Sequence, residues 1–117
     1  MDTDAPVLTV VFYSTDKGTE PVRDWLLSLT AEDRKAIGTD IKTVQYGWPL
    51  GMPLVRKMEP GLWEVRSDIP DGIARVLFTT LDGFMVLLHG FIKKSQKTPE
   101  PDLKTARTRL KKLKEAA

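Results

Sequence analysis

Residues 61–99 read GLWEVRSDIPDGIARVLFTTLDGFMVLLHGFIKKSQKTP, and this stretch decides the fold. It divides into three β-branched, aromatic and aliphatic runs, residues 62–67, 73–80 and 84–92. Turn chemistry separates them. In residues 68–72 (Asp-Ile-Pro-Asp-Gly) a proline fixes φ and a glycine accepts positive φ, and Leu81-Asp82-Gly83 supplies the second reversal. The pattern predicts an antiparallel meander. Its polar positions are mostly basic: Arg66, Arg75, Lys93 and Lys94, together with the chain's single histidine, His89.

Working outward, residues 7–13 are β-branched and aromatic and predict a strand, after a polar tail over residues 1–6 that is expected to be mobile. Thr19 is the expected N-cap of a short helix with Pro21 in its first turn, where a missing N–H costs little. Val22, Trp25, Leu26 and Leu29 share one face of that helix. Thr30, with Asp33 three residues on, opens a second helix whose stripe is Ile37, Ile41, Val44 and Trp48. Gly47 and Pro49 end it. Almost no linker separates the two helices, so an antiparallel helical hairpin is expected.

Residues 54–58 are a short strand, and Glu59-Pro60-Gly61 turns it into the meander. The third meander run is apolar on both faces. That suits a central strand covered by the chain on both sides, or by helix on one side and a partner on the other. After a polar loop over residues 95–101, Leu103, Ala106, Leu110 and Leu113 form the seam of a C-terminal helix with a basic back. The order predicts one α+β domain over residues 1–117: N-terminal strand, helical hairpin on one sheet face, antiparallel four-strand meander, C-terminal helix.

The chain's 117 residues suffice for one core, and a net charge of +2 does not by itself mark a nucleic-acid binder. The distribution says more. Nine basic residues lie between Lys93 and Lys114, against Glu100 and Asp102. This is either a field that attracts phosphates or a solvated lysine-rich helix face. Cysteine is absent, which excludes disulfides and thiolate ligands and suits a reducing cytoplasm. No run approaches a membrane span, and the start lacks a basic segment followed by an apolar one, so a cytoplasmic protein without a membrane partner is expected. One histidine and no cysteine argue against a transition-metal site. No phosphate-cradling glycine loop or nucleophile elbow is present, so no cofactor is expected.

Strand parity sorts the polar residues. Arg66 shares a face with Leu62 and Glu64, and Arg75 with Leu77 and Thr79. With the apolar faces toward the helices, both arginines should point away from them. His89, Phe91 and Lys93 share a face of the third strand, but parity cannot say which, because both its faces are apolar. If it is the arginine face, Arg66, Arg75, His89, Phe91 and Lys93 cluster, with Lys57 a candidate from the neighbouring strand. Such a cluster suits RNA: arginine forks match phosphate oxygens, phenylalanine can stack a base, and histidine or lysine can move a proton. The plainer alternatives are cross-strand pairing of the arginines with Glu64 or Asp68, a hydrogen-bonded structural histidine and a core phenylalanine.

The strings LWEVRSD and IARVLFTTLDGFMVLLHGFIKKSQKTP resemble the phage-derived, HigB-like branch of the RelE/ParE toxin superfamily. The upstream EPVRDWLLSL and LGMPLVRKMEPGLWEVR passages fit the same pattern. The resemblance covers nearly the whole chain after Val7, and the H-G-F-x-K-K-x-x-K-T-P segment is its most specific part. It implies a RelE-like fold and a toxin paired with a cognate antitoxin, often a helix-turn-helix protein. It also implies a metal-independent endoribonuclease that cuts mRNA on the ribosome. Carried onto this chain, Arg66 and Arg75 neutralise the phosphate, Lys93 or Lys94 orients the RNA, His89 is the acid or base, and Phe91 is a stacking platform. Lys57 and Lys97 extend the RNA-binding border. No His, Tyr or Trp follows His89, a departure from relatives that use one near the C-terminus. The alternatives within the superfamily are a non-catalytic gyrase-binding toxin of the ParE type and an inactive phage-derived binding protein.

Overall fold

The meander closes on shorter turns than its composition suggests. In a computed structural model, which describes residues 5–93 and 97–116, Ile69 pairs with Gly72 and Leu81 with Phe84. Each reversal therefore has two residues outside the ladder, Pro70-Asp71 and Asp82-Gly83. Asp82 and Gly83 take φ of 51° and 82°, the left-handed pair of a type I′ turn, whose twist matches that of the flanking strands. The expected five-residue turn over 68–72 is accordingly corrected: Asp68 and Ile69 belong to the strand.

The elements are β1 (Thr9–Phe12), α1 (Pro21–Ser28), α2 (Ala31–Gly47), β2 (Val55–Glu59), β3 (Leu62–Ile69), β4 (Gly72–Leu81), β5 (Phe84–Lys93) and α3 (Glu100–Ala116). Strands β2 to β5 pair antiparallel in chain order. The fold is α+β, but its sheet is mixed and five-stranded, in the order β1-β5-β4-β3-β2. β1 joins β5 in parallel at one edge, with Val11 opposite Val86. Gln45 near the end of α2 fixes that edge: its carbonyl accepts from Val7 and Leu8, and its side chain donates to the Leu8 carbonyl at 3.1 Å.

α1 begins with Pro21 at its first position, but Glu20 rather than Thr19 occupies the cap, because the Thr19 hydroxyl lies 2.6 Å from that of Thr15. Thr30 caps α2 by accepting from the Asp33 N–H at 3.1 Å. α1 lies over β5 and α2 over β3, and each packs chiefly on the sheet rather than on the other helix. Arg34 links them by donating to the Leu26 and Leu29 carbonyls that end α1. Beneath lies the larger core, with Val22, Ile37 and Val44 against Val65, Val76, Phe78 and Leu87.

The opposite sheet face is covered by α3, whose Ala106 and Leu110 bury against Leu62, Leu77, Val86 and Leu88. The doubly apolar β5 is thus sandwiched between two helical layers of its own chain. A bulge completes the arrangement. Leu77 pairs with His89 and Phe78 with Leu87, so Leu88 is the extra residue. Before it, Met85 and Leu87 face the α1–α2 layer. After it the parity inverts: Ile92 packs on that layer, and Phe91 packs on the α3 side. Gly90 lies under Trp25, where a Cβ would come within 2.4 Å of the indole ring.

Candidate functional site

Arg66 and Arg75 stand directly opposite each other on β3 and β4. They point away from α1 and α2, as expected, but their face is roofed by α3 and by the turn that precedes it. Arg75 and Glu64 are both 0% exposed. Two like charges across a ladder repel, and the Glu64 carboxylate offsets that repulsion. One of its oxygens accepts from the Thr98 hydroxyl at 2.6 Å, and the other lies 3.9 Å from an Arg66 Nη. The Thr98 oxygen in turn accepts from Arg75 Nη1 at 3.1 Å. Burial pulls the Arg75 guanidinium below the usual arginine range; Glu64 acts in the opposite sense, and Arg66 and Arg56 reinforce the lowering. Arg66 borders a shallow pocket of about 160 Å³ with Met52, Pro53, Asp68 and Ile73.

His89 lies on the arginine face because of the Leu88 bulge. Its Nε2 is 2.6 Å from Asp102 Oδ1. A carboxylate only accepts, so this contact puts the proton on Nε2. Nδ1 is left facing Arg109 Nη1 at 3.4 Å. The imidazole stacks on Phe91 at 5.7 Å and 26°, and the Arg75 Cζ is 5.9 Å from the same Phe91 ring. Phe91 therefore joins the histidine to the arginine pair from inside the fold.

The structure thus brings Arg66, Arg75, His89 and Phe91 together. Lys93 ends β5 opposite Ile73 on the same face and is exposed, as is Lys97. Lys94 lies outside the described residues. Lys57 is opposite Trp63, on the α1–α2 face, and it is Arg56 that stands opposite Glu64. Sequence reasoning passed over Arg56, since the β2–β3 register was not available to it. It also passed over Asp102 and Arg109. Their signal was present: Asp102, Thr105, Arg109 and Lys112 follow one another at helical steps of three, four and three, one residue ahead of the apolar seam.

Three contacts fasten α3. Arg107 forks onto Glu59 at 3.0 Å and also reaches Glu100 at 2.8 Å. Asp102 holds His89. Arg109 donates to the Leu88 carbonyl at 2.8 Å, the backbone group that the bulge turns toward the helix, and its guanidinium lies over the Tyr13 ring at 6.0 Å. Burial pulls Arg109 below the ordinary arginine range. Among the described residues no carboxylate forms an ion pair with it. No three His, Cys, Asp or Glu side chains gather as a metal site among those residues either, and none of their helices is long and apolar enough to cross a membrane.

The family model for phage-derived Gp49-like proteins (DUF891) matches residues 24–111, from within α1 to near the end of α3. The search of curated proteins returned no match.

Proposed function

We propose that this chain, which belongs to the phage-derived Gp49-like family, a RelE-like toxin family, is the toxin of a type II toxin–antitoxin system. In this reading it is a cytoplasmic, metal-independent endoribonuclease that cuts mRNA on the ribosome and is held in check by a cognate antitoxin, a helix-turn-helix protein. The observation that carries the reading is the single sheet face on which Arg66, Arg75, Phe91 and the Asp102-bound His89 meet.

In such a reaction the 2′-oxygen of a ribose bonds to the adjacent phosphorus, and the bond from phosphorus to the next nucleotide's 5′-oxygen breaks. The 2′-hydroxyl gives up its proton to a base, and the leaving 5′-oxygen gains one. The products are a cyclic phosphate and a 5′-hydroxyl. His89 Nδ1 is the proton-accepting atom, with Asp102 fixing tautomer and ring orientation through Nε2. Lys93 neutralises charge on the phosphate from the rim, and Arg66 and Arg75 add their field from beneath, Arg75 while positioning Glu64 and Thr98. Lys94 and Lys97 extend the cationic border. Phe91 holds His89 and Arg75 in place. Lys57, on the other face, takes no part. A catalyst with its arginines this deep depends on the ribosome to present the RNA in line.

One observation favours a second reading. Arg75 and Glu64 are fully buried, and both His89 ring nitrogens face residues of their own chain. These contacts suit a non-catalytic, gyrase-binding toxin of the ParE type, in which the polar face is structural. Primer extension on transcripts after brief induction without antitoxin separates the two. New in-frame 5′ ends within translated regions, absent for His89→Ala, support cleavage. Growth arrest with intact transcripts and DNA-damage signalling refutes it in favour of the second reading.

A further inference from the structure

Among the described residues two part-buried arginines have no carboxylate ion pair: Arg34, whose guanidinium is taken up by the two carbonyls that end α1, and Arg109, which lines a groove. Arg107 is neutralised by Glu59 and Glu100, and the Arg66–Arg75 pair has Glu64 between its members. Arg109, by contrast, is partly buried and held rigidly by the Leu88 carbonyl and the Tyr13 ring, with no carboxylate paired to it among the described residues. A fixed, partly desolvated guanidinium is costly unless something anionic complements it.

The space it faces is concave. A groove of about 320 Å³ runs between the end of β1 and α3, and Arg109 lies in its wall with Lys104, Lys112, Tyr13 and Thr15. Asp16 is also in the lining and makes no ion pair among the described residues. Lysines 104 and 112 are exposed and lie along α3 on either side of the guanidinium, five residues before it and three after it, and both line the groove. Two mobile cations around one preoriented fork, with hydroxyl groups beside them, fit the oxygens of a phosphodiester. The groove also adjoins the histidine, since Arg109 Nη1 lies 3.4 Å from His89 Nδ1.

We infer that this groove binds the phosphate backbone of single-stranded RNA, with Arg109 as its fixed anchor and Lys104 and Lys112 as its flanks. The identity of the ligand as RNA rests on the ribonuclease reading; the anion site rests on Arg109. The arrangement supplies what the buried arginine pair does not: a cationic surface open to solvent beside His89.

The test is fluorescence anisotropy of a labelled single-stranded RNA of about a dozen nucleotides, titrated with the full-length protein over a range of salt. The double reversal Lys104→Glu/Lys112→Glu is compared with Lys111→Glu/Lys114→Glu, which changes net charge equally on the stretch of α3 that lies beside Glu59 and Pro60. The groove variant is expected to lose about tenfold or more in affinity and about 1.4 in the slope of log K against log salt, roughly 0.7 per lost contact on a single strand. The control is expected to stay within about threefold. Equal loss in both variants, no loss in the groove variant, or no RNA binding by the wild type overturns the inference. So does a wild type that takes inorganic phosphate without RNA. Transcript mapping in the same strains separates this from the parent reading. Cleavage that survives the groove reversal together with unchanged binding defeats the groove alone. Groove-dependent binding with no cleavage by the wild type defeats the ribonuclease reading alone.

Discussion

Replacing Glu64 by Gln tests the buried network with almost no change of shape. The side chain is 0% exposed, and its neighbours Arg66 and Arg75 face each other across the ladder. Glutamine keeps an oxygen that can still accept from the Thr98 hydroxyl, now 2.6 Å away, so that bond is conserved and only the negative charge is lost. Removing one member of a buried ion pair costs about 3–5 kcal/mol, because the remaining charge stays desolvated. The loss concerns a guanidinium that burial already pulls down and that Glu64 supports. For a chain of this length, about 3–5 °C accompanies each kcal/mol, so the expected fall in Tm is on the order of 10–20 °C. In urea, with a slope of about 2 kcal/mol/M, the midpoint drops by about 2 M. Circular dichroism through both transitions measures this. The companion Glu64→Leu/Arg75→Met, which replaces the pair by apolar groups, should recover most of the loss. A Glu64→Gln penalty below about 1 kcal/mol, the range of exposed pairs, would refute the reasoning.

The remaining predictions concern the histidine, the close packing over β5 and the turns. His89→Ala should lower ribosome-dependent cleavage by about 10²–10⁴, the usual worth of a general acid or base, and no fall in cleavage by a folded variant would remove His89 from the chemistry. Asp102→Asn should leave the fold intact but turn a single Nε2-protonated tautomer into a mixture, read from long-range ¹⁵N–¹H spectra; an unchanged tautomer sinks the positioning role. Gly90→Ala drives a methyl to within 2.4 Å of Trp25 and should cost about 1–3 kcal/mol while shifting the tryptophan emission. Gly83→Ala meets nothing within 4 Å, so its cost of about 1–2 kcal/mol in chemical denaturation should come from the φ of 82° alone.

Much of the architecture was legible because it depends on local chemistry. Pro60-Gly61, Pro70-Asp71 and Asp82-Gly83 mark reversals through fixed or positive φ, and the stripes of α1, α2 and α3 follow from helical spacing. That Arg66 and Arg75 both point away from α1 and α2 likewise follows from strand alternation, whereas their standing directly opposite each other depends on a two-residue turn, shorter than composition suggests. Finer boundaries escaped where two local options compete. Asp68 and Ile69 read as turn because of the proline behind them, yet their backbone groups continue the ladder to β4.

What the sequence by itself determined, then, is the set of elements and the face on which the arginines of β3 and β4 fall, since both are properties of neighbouring residues. Only the tertiary structure decided which face His89 and Phe91 share. The extra residue Leu88 inverts the parity of β5 midway, and a run apolar on both sides contains no signal of where such an inversion lies. Tertiary packing also decided that α3 roofs the arginine face, burying Arg75 with Glu64 and Thr98 and carrying Asp102 to His89. These contacts join positions 13 to 34 residues apart, and they form only because burial of Ala106 and Leu110 against the sheet draws α3 down over it.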